Sequence, residues 1–308
     1  MENPVKTTVL SLLLSAAIAA PALAQDQITE FRIGVLGGEN AQDRMTSNEC
    51  LRKYTEEALG VPVKLFTPAD YDGVIQGLLG GTLDAAILGA SGYAKAYLTD
   101  AEAVEPVLVK TNLDGTFTYH SIGFARADSG IKSLDDMKGK VFAFGDPNST
   151  SGYLIPLVEL PELGYSMKPG EYFSDIKFTG GHEQTIVAVK NGDVDAGVTW
   201  AGGEGDWADG YGFGALRKAV DAGLVDMNDL VEIWKSKPIP EGPMVVRKAL
   251  PQDVKDKFVA LMEGMGEKDQ DCLYGIASGE TGGFKPVTHD AYNTIIEVPK
   301  AELEQGGN

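Results

Sequence analysis

What constrains this chain most is a recurring order of segments, in which a short β-rich run is followed by helical periodicity and then by another β-rich run. Phe31 to Leu36 leads into a helix through Leu51, Tyr54 and Ala58 that stops at Gly60. Val63 to Phe66 leads into a second helix opening at Asp70. Alternation of this kind predicts an α/β layer structure with mostly parallel strands. The helix from Asp70 carries Val74, Ile75, Leu78 and Leu79 on one face, stops at Gly80-Gly81, and hands over to Leu83-Asp84-Ala85-Ala86-Ile87. A displacement of 111 residues places Ile75 on Ile186, Gly81 on Gly192, Asp84 on Asp195 and Ala85 on Ala196. The same displacement places Tyr71 on His182, each at the start of its helix. Helix-Gly-Asp-strand units are common in α/β proteins, so the match is modest by itself. Together with the conserved order of elements it predicts a pseudo-repeat, with one copy in each of two lobes.

Charge narrows the partners. The 308 residues include 26 Lys and Arg against 45 Asp and Glu, a formal net charge of −19, which excludes a general nucleic-acid binder. Only 3 histidines are present, so metal-centred or histidine-driven chemistry starts with few groups. At the amino terminus, Lys6 precedes an apolar run, Thr7 to Ala20, that is too short to span a bilayer, and Pro21 and Ala22-Leu23-Ala24 follow. This is the pattern of a secretory signal peptide cleaved after Ala24, and it predicts export to the periplasm of a two-membrane bacterium. In that oxidising compartment Cys50 and Cys272 either form one disulfide or stay as two buried thiols.

Parallel α/β sheets bind ligands beyond the carboxyl ends of their strands, where loops feed helix N-termini. Equivalent positions in two facing lobes would therefore share one cleft, and Tyr71 and His182 become candidates on its two sides. Val141-Phe142-Ala143-Phe144 reads as a buried strand, followed by Gly145-Asp146-Pro147-Asn148-Ser149-Thr150-Ser151-Gly152 and a helix. A helix start offers unpaired N–H groups and partial positive charge, and Ser149, Thr150 and Ser151 add three hydroxyl donors. One hydroxyl suffices for capping. Three in a row, between glycines, predict an anion site built without Lys or Arg.

The run from Asp146 to Gly152, Asp70-Tyr71-Asp72-Gly73-Val74-Ile75-Gln76-Gly77, Gly181-His182-Glu183 and Ile239-Pro240-Glu241-Gly242-Pro243 together resemble the phosphonate-binding periplasmic components of ABC transporters. The resemblance spans essentially the whole chain after the leader. It implies a type II periplasmic binding fold of two α/β lobes whose hinge the chain crosses twice. Residues 25–120 and 243–308 would form lobe 1 and residues 121–242 lobe 2, with the hinge near 119–123 and 236–243. In the family, the residues matching Tyr71, Ser149, Thr150, Ser151 and His182 grip the phosphonate oxygens. Members that take aminoalkylphosphonates place carboxylates near the ligand's ammonium group. The matching positions here are Gly202 and Gly242, so Glu204 and Glu241 beside them are the carboxylates expected there. Leu88 stands where an aromatic is expected, and Tyr93 follows it. The resemblance further implies a monomer that delivers a phosphonate, such as 2-aminoethylphosphonate or an alkylphosphonate, to a permease and ATPase in the inner membrane, with no cofactor. Phosphite or phosphate as ligand, and a role as ligand sensor for a membrane receptor, are the alternatives.

Enzyme readings find little footing. Gly89-Ala90-Ser91-Gly92-Tyr93 lacks the second glycine of a nucleophile elbow, and no glycine turn runs into the Lys-Ser/Thr of a phosphate loop. His120, His182 and His289 are isolated in sequence, without the spacing of metal ligands. Gly37-Gly38-Glu39-Asn40, after the first strand, is either a plain turn or the far wall of the cleft. Trp200 and Trp207, which bracket Glu204, either wall the ligand's organic end or pack in the core.

Overall fold

The structure, a computed structural model, describes residues 28–38, 40–202 and 205–298. The leader, Glu39 and Glu204 therefore lie outside the described residues.

In chain order the strands are β1 (Phe31–Gly34), β2 (Val63–Phe66), β3 (Ala85–Ile87), β4 (Val104–Thr111), β5 (Thr118–Arg126) and β6 (Val141–Phe144). There follow β7 (Asp175–Phe178), β8 (Ala196–Gly202), β9 (Leu230–Lys235), β10 (Ile239–Pro240), β11 (Pro243–Arg247) and β12 (Gly283–Pro286). They form two six-stranded sheets. The first has the order β12-β4-β11-β3-β1-β2, and the second runs β10-β5-β8-β6-β7 with β9 paired to β5. Each sheet is built on a parallel triad, β2-β1-β3 in one and β7-β6-β8 in the other. The remaining pairings are antiparallel. The expectation of mostly parallel strands thus holds within the triads only. A strand that arrives from the other sheet enters against the triad's direction, as β5 does beside β8 and β11 beside β3.

The chain passes between the sheets through 112–117 and again through 241–242. The first passage precedes Tyr119–Gly123, which lies inside β5, and the second falls within 236–243. Both sheets are buried on their two faces by helices, so each lobe carries two apolar clusters. Phe31, Leu108 and Phe258 mark one face of the first sheet, and Ile75, Tyr93 and Tyr292 the other. In the second lobe Phe124, Ile186 and Leu216 fill one side and Phe142, Phe173 and Trp234 the other.

The helices that matter for the cleft are α1 (Ala41–Leu59), α2 (Tyr71–Leu79), α3 (Ala90–Thr99), α4 (Ile155–Glu162) and α5 (His182–Asn191). The repeat inferred from sequence is visible in detail. Tyr71 is the first residue of α2 and His182 the first of α5. Gly81 and Gly192 both take the left-handed conformation, at φ 72° and 78°, that turns the chain from helix to strand. Asp84 and Asp195 each accept a hydrogen bond from the backbone of the neighbouring strand, Asp84 from Arg32 N at 2.9 Å and Asp195 from Val141 N at 2.8 Å. The helices α6 (Ala215–Asp221), α7 (Gln252–Glu263), α8 (Met265–Lys268) and α9 (Gln270–Ala277) complete the lobes. Cys50 of α1 and Cys272 of α9 are joined by a disulfide, which settles the two alternatives left by the sequence and ties the start of the first lobe to its end.

Candidate functional site

Between the lobes lies a cavity of about 820 Å³. One end is made by the hydroxyl loop. After β6 the chain turns through Asp146 and enters a single π-helical turn, Thr150–Leu154, before α4. Such turns are rare and occur frequently at functional sites. Here the turn presents three consecutive residues, Ser149, Thr150 and Ser151, to the same space. Ser149 caps it, its Oγ accepting from Gly152 N at 3.0 Å while lying 3.4 Å from His182 Nε2. His182 Nδ1 is 3.3 Å from Thr199 Oγ1, so the imidazole is oriented by hydroxyls on both sides. The hydroxyl of Ser121, on β5, donates to Ser151 O at 2.6 Å and fixes the turn from beneath. All three hydroxyl residues and His182 are buried in the closed molecule.

Across the cavity stands Tyr71, also buried, at the N-terminus of α2. Its backbone N–H donates to Asp146 Oδ2 of the other lobe at 3.3 Å. Further contacts join the lobes around it. Glu183 N donates to Gly38 O at 3.2 Å, and Asn40 N donates to Glu183 Oε2 at 3.2 Å. The glycine loop after β1 is therefore a wall of the cleft rather than a plain turn. Gly181, facing that loop from the other lobe, is required to be glycine by close approach, since a Cβ on it would lie 2.3 Å from Gly38 Cα.

Thr150 does a second job. Helix α3 starts at Gly89 without a side-chain cap of its own. Thr150 Oγ1 supplies one from the opposite lobe, accepting from Ser91 N at 2.9 Å and lying 3.0 Å from Ser91 Oγ. Ser91 Oγ donates to Asn148 O at 2.7 Å, and Lys95 Nζ bridges Asn148 Oδ1 at 2.8 Å and Asp72 Oδ1 at 2.7 Å. Ser91, which the sequence offered only as a failed nucleophile, is a lobe-to-lobe contact.

The other end of the cavity has a different character. Lys110, from β4, and Glu241, from the second passage between the sheets, are both buried and form an ion pair at 2.9 Å. Lys110 Nζ also donates to Ala277 O at 3.4 Å. It lies 4.0 Å from the centre of the Phe213 ring and 5.1 Å from that of Trp200. Burial draws the Lys110 ammonium below its ordinary range, and the Glu241 carboxylate pulls it back up. Glu241 sits where it does because Gly242 presses against Leu88, whose carbonyl oxygen a Cβ at position 242 would meet at 1.8 Å. Tyr119 connects the two ends. Its hydroxyl is held un-ionised by burial and by the Glu241 charge, with the side chains of Ser151 and Thr150 acting against them.

The structure thus brings together Tyr71, Ser149, Thr150, Ser151, His182 and Glu241 of the residues singled out from sequence. Tyr93 is a correction. It is 1% exposed, packs edge-on against Tyr292, and turns its hydroxyl to His289 Nδ1 at 2.8 Å, inside the first lobe's core. Trp200 is among the aromatics at the cavity instead, in edge-to-face contact with Tyr119. Trp207 packs on Tyr211. Sequence reasoning missed Lys110 altogether and placed Tyr119 only at the edge of the hinge. Neither belongs to a motif, and only the pairing of strands brings them to the cleft.

Two α/β lobes joined by two passages, closing on a donor-lined cavity, define a two-lobed solute-binding protein of the type II fold. Residues 33–292 match the family described as ABC transporter, phosphonate, periplasmic substrate-binding protein, and the chain belongs to that family. Relatives include the phosphate-import protein PhnD of Mycolicibacterium smegmatis, 32% identical with 86% of this chain and 84% of the relative covered. The phosphonates-binding periplasmic protein of Escherichia coli is 30% identical, with 85% of this chain and 73% of the relative covered. The crystal structure of a binding protein component of an ABC phosphonate transporter from Pseudomonas aeruginosa superposes with a TM-score of 0.76 at 26% identity, covering 91% of this chain and 89% of that one. The expected fold and family are therefore both borne out.

Proposed function

We propose that this protein captures a small phosphorus oxyanion, a phosphonate or its relatives phosphite and phosphate, in the cavity between its lobes and delivers it to the permease and ATPase of an ABC importer. The observation that carries the reading is the convergence of Ser149, Thr150, Ser151 and His182 from one lobe with Tyr71 from the other on a single cavity. Neutral hydroxyl and N–H donors can hold a dianion without a surrounding of cations, so the net charge of −19 is no obstacle. A ligand that bridges the donors of both lobes favours the closed arrangement over an open one, and closure is the signal a membrane partner can read. No step of this cycle breaks or forms a covalent bond, which fits a carrier and not an enzyme. The leader, removed after Ala24, would place a monomeric carrier in the periplasm.

The test is calorimetry and thermal unfolding of the protein without its leader, with methylphosphonate, phosphite, phosphate and sulfate in turn. A ligand at a thousand times its dissociation constant adds about 4 kcal/mol to the native state, which raises the melting temperature by several degrees. A shift with one or more of the phosphorus oxyanions and none with sulfate is expected. His182→Ala should weaken the preferred ligand at least tenfold, through loss of a donor at the oxyanion end. Wild-type affinity in that variant would remove His182 from the site.

A further inference from the structure

The far end of the cavity has the composition of an ammonium receptor. A carboxylate, Glu241, and the rings of Phe213 and Trp200 surround one point, and such carboxylate-and-aromatic settings are what bind alkylammonium groups. That point is already taken by Lys110 Nζ, 2.9 Å from Glu241 Oε1, 4.0 Å from the Phe213 centroid and 5.1 Å from the Trp200 centroid. We propose that Lys110 determines ligand specificity by occupying the cation subsite with the protein's own ammonium group, so that the cavity accepts phosphorus oxyanions with an uncharged substituent, or none, and rejects aminoalkylphosphonates. The inference rests on the oxyanion reading of the opposite end.

The two ends are close enough for one small ligand to meet both. Trp200 stands between them, with His182 at 6.4 Å between ring centroids and Lys110 Nζ over its ring. Tyr119 lies edge-on to Trp200 and feels the charge of Glu241. An oxyanion held by the hydroxyl loop would direct a short aminoalkyl chain towards this end. There its ammonium would meet a like charge in a place with little water to screen it, and Glu241 is already neutralised. The carboxylate expected to greet an ammonium group is present, but its partner comes from within the chain.

Lys110→Ala empties the subsite and leaves Glu241 in place. Affinities for methylphosphonate and 2-aminoethylphosphonate are measured by calorimetry in the wild type and in the variant. Wild type is expected to prefer methylphosphonate at least tenfold, and the variant to shift the ratio of the two affinities towards 2-aminoethylphosphonate by at least another factor of ten. Lys110→Ser, whose polar side chain admits water beside Glu241, replaces the alanine variant if that one does not fold. The wild-type ratio decides even without either, since equal affinity for the two ligands overturns the proposal. An unchanged ratio in the folded variant also overturns it. A separate arm uses ethylammonium chloride alone at tens of millimolar, which should raise the melting temperature of the variant and not of the wild type, against sodium chloride at equal ionic strength. If wild type binds no phosphorus oxyanion, the oxyanion reading falls, while the ethylammonium arm still decides whether Lys110 fills a cation subsite.

Discussion

The two ends of the cavity are built on opposite principles. The oxyanion end is one continuous segment, Ser149 to Ser151, plus the first residues of two helices, Tyr71 and His182, and its hydroxyls are tied by short local bonds such as Gly152 N to Ser149 Oγ. The far end gathers Lys110, Trp200, Phe213 and Glu241 from three separated parts of the chain, and its stability depends on two opposite charges meeting where water is scarce. A buried neutral group that loses its partner costs about 1–3 kcal/mol, whereas a buried charge that loses its partner costs about 3–5 kcal/mol. The far end is thus the more fragile, and it is also where one substitution changes what the site can read.

The contrast is sharpest in stability. Glu241→Ala leaves the Lys110 ammonium buried beside two aromatic rings without its carboxylate, and about 3–5 kcal/mol of stability should be lost. Ser149→Ala removes a cap from the opposite end and should cost about 1 kcal/mol. Denaturant midpoints compare the two directly. Near-equal losses would mean that the Lys110–Glu241 pair is hydrated in solution and that the two ends do not differ as described. Replacing both Lys110 and Glu241 by methionine should recover most of the loss, because no charge is then left alone.

A second comparison separates stability from closure. Thr150 Oγ1 accepts from Ser91 N in the opposite lobe, so its acceptor is used only when the lobes are shut. Thr150→Val keeps the shape and removes the acceptor, leaving the second N–H of α3 unmet in the closed state but solvated in an open one. The cost, about 1–2 kcal/mol, should therefore appear as a ligand affinity about 5- to 30-fold weaker, beyond any loss of the donor that Thr150 offers the oxyanion itself. The melting temperature of the unliganded protein should move less than with Ser149→Ala. A fall in melting temperature without a change in affinity would place the Thr150–Ser91 bond in both states and remove it from the closing device.

The same contrast explains what could be seen in the sequence. The strand-helix alternation, the repeat that pairs Tyr71 with His182, and the hydroxyl loop are local patterns, and each survives in the structure where the spacing placed it. Glu241 was found because it belongs to a short motif at the second passage. Its partner was not, since Lys110 is one cation in the long strand β4, and only the pairing of β11 with β4 and the packing of the lobes bring the two together. Tyr93 was misplaced for a related reason. In a helix that crosses from cleft to core, a shift of two residues rotates a side chain by more than half a turn, and Ser91 rather than Tyr93 faces the other lobe.

That correction can itself be broken, in a variant for which no change of affinity is expected. Burial pushes the Tyr93 hydroxyl up to about 12. An unfolded tyrosine releases its proton near 10, so between these values the native state binds more protons than the unfolded one, and stability must fall as pH rises. Each unit of pH in that window removes about 1.4 kcal/mol through this group. Tyr93→Phe has no proton to lose, and its unfolding free energy should decline less steeply between pH 10 and 12 by about that amount per unit. Tyr119, Tyr211 and Tyr292, also raised by burial, keep part of the alkaline decline. At neutral pH the variant loses the hydrogen bond to His289 Nδ1, about 1 kcal/mol, and its affinity for methylphosphonate should equal that of wild type. A tenfold loss of affinity in Tyr93→Phe would instead return Tyr93 to the cleft and make α3 a contributor to the organic end of the site.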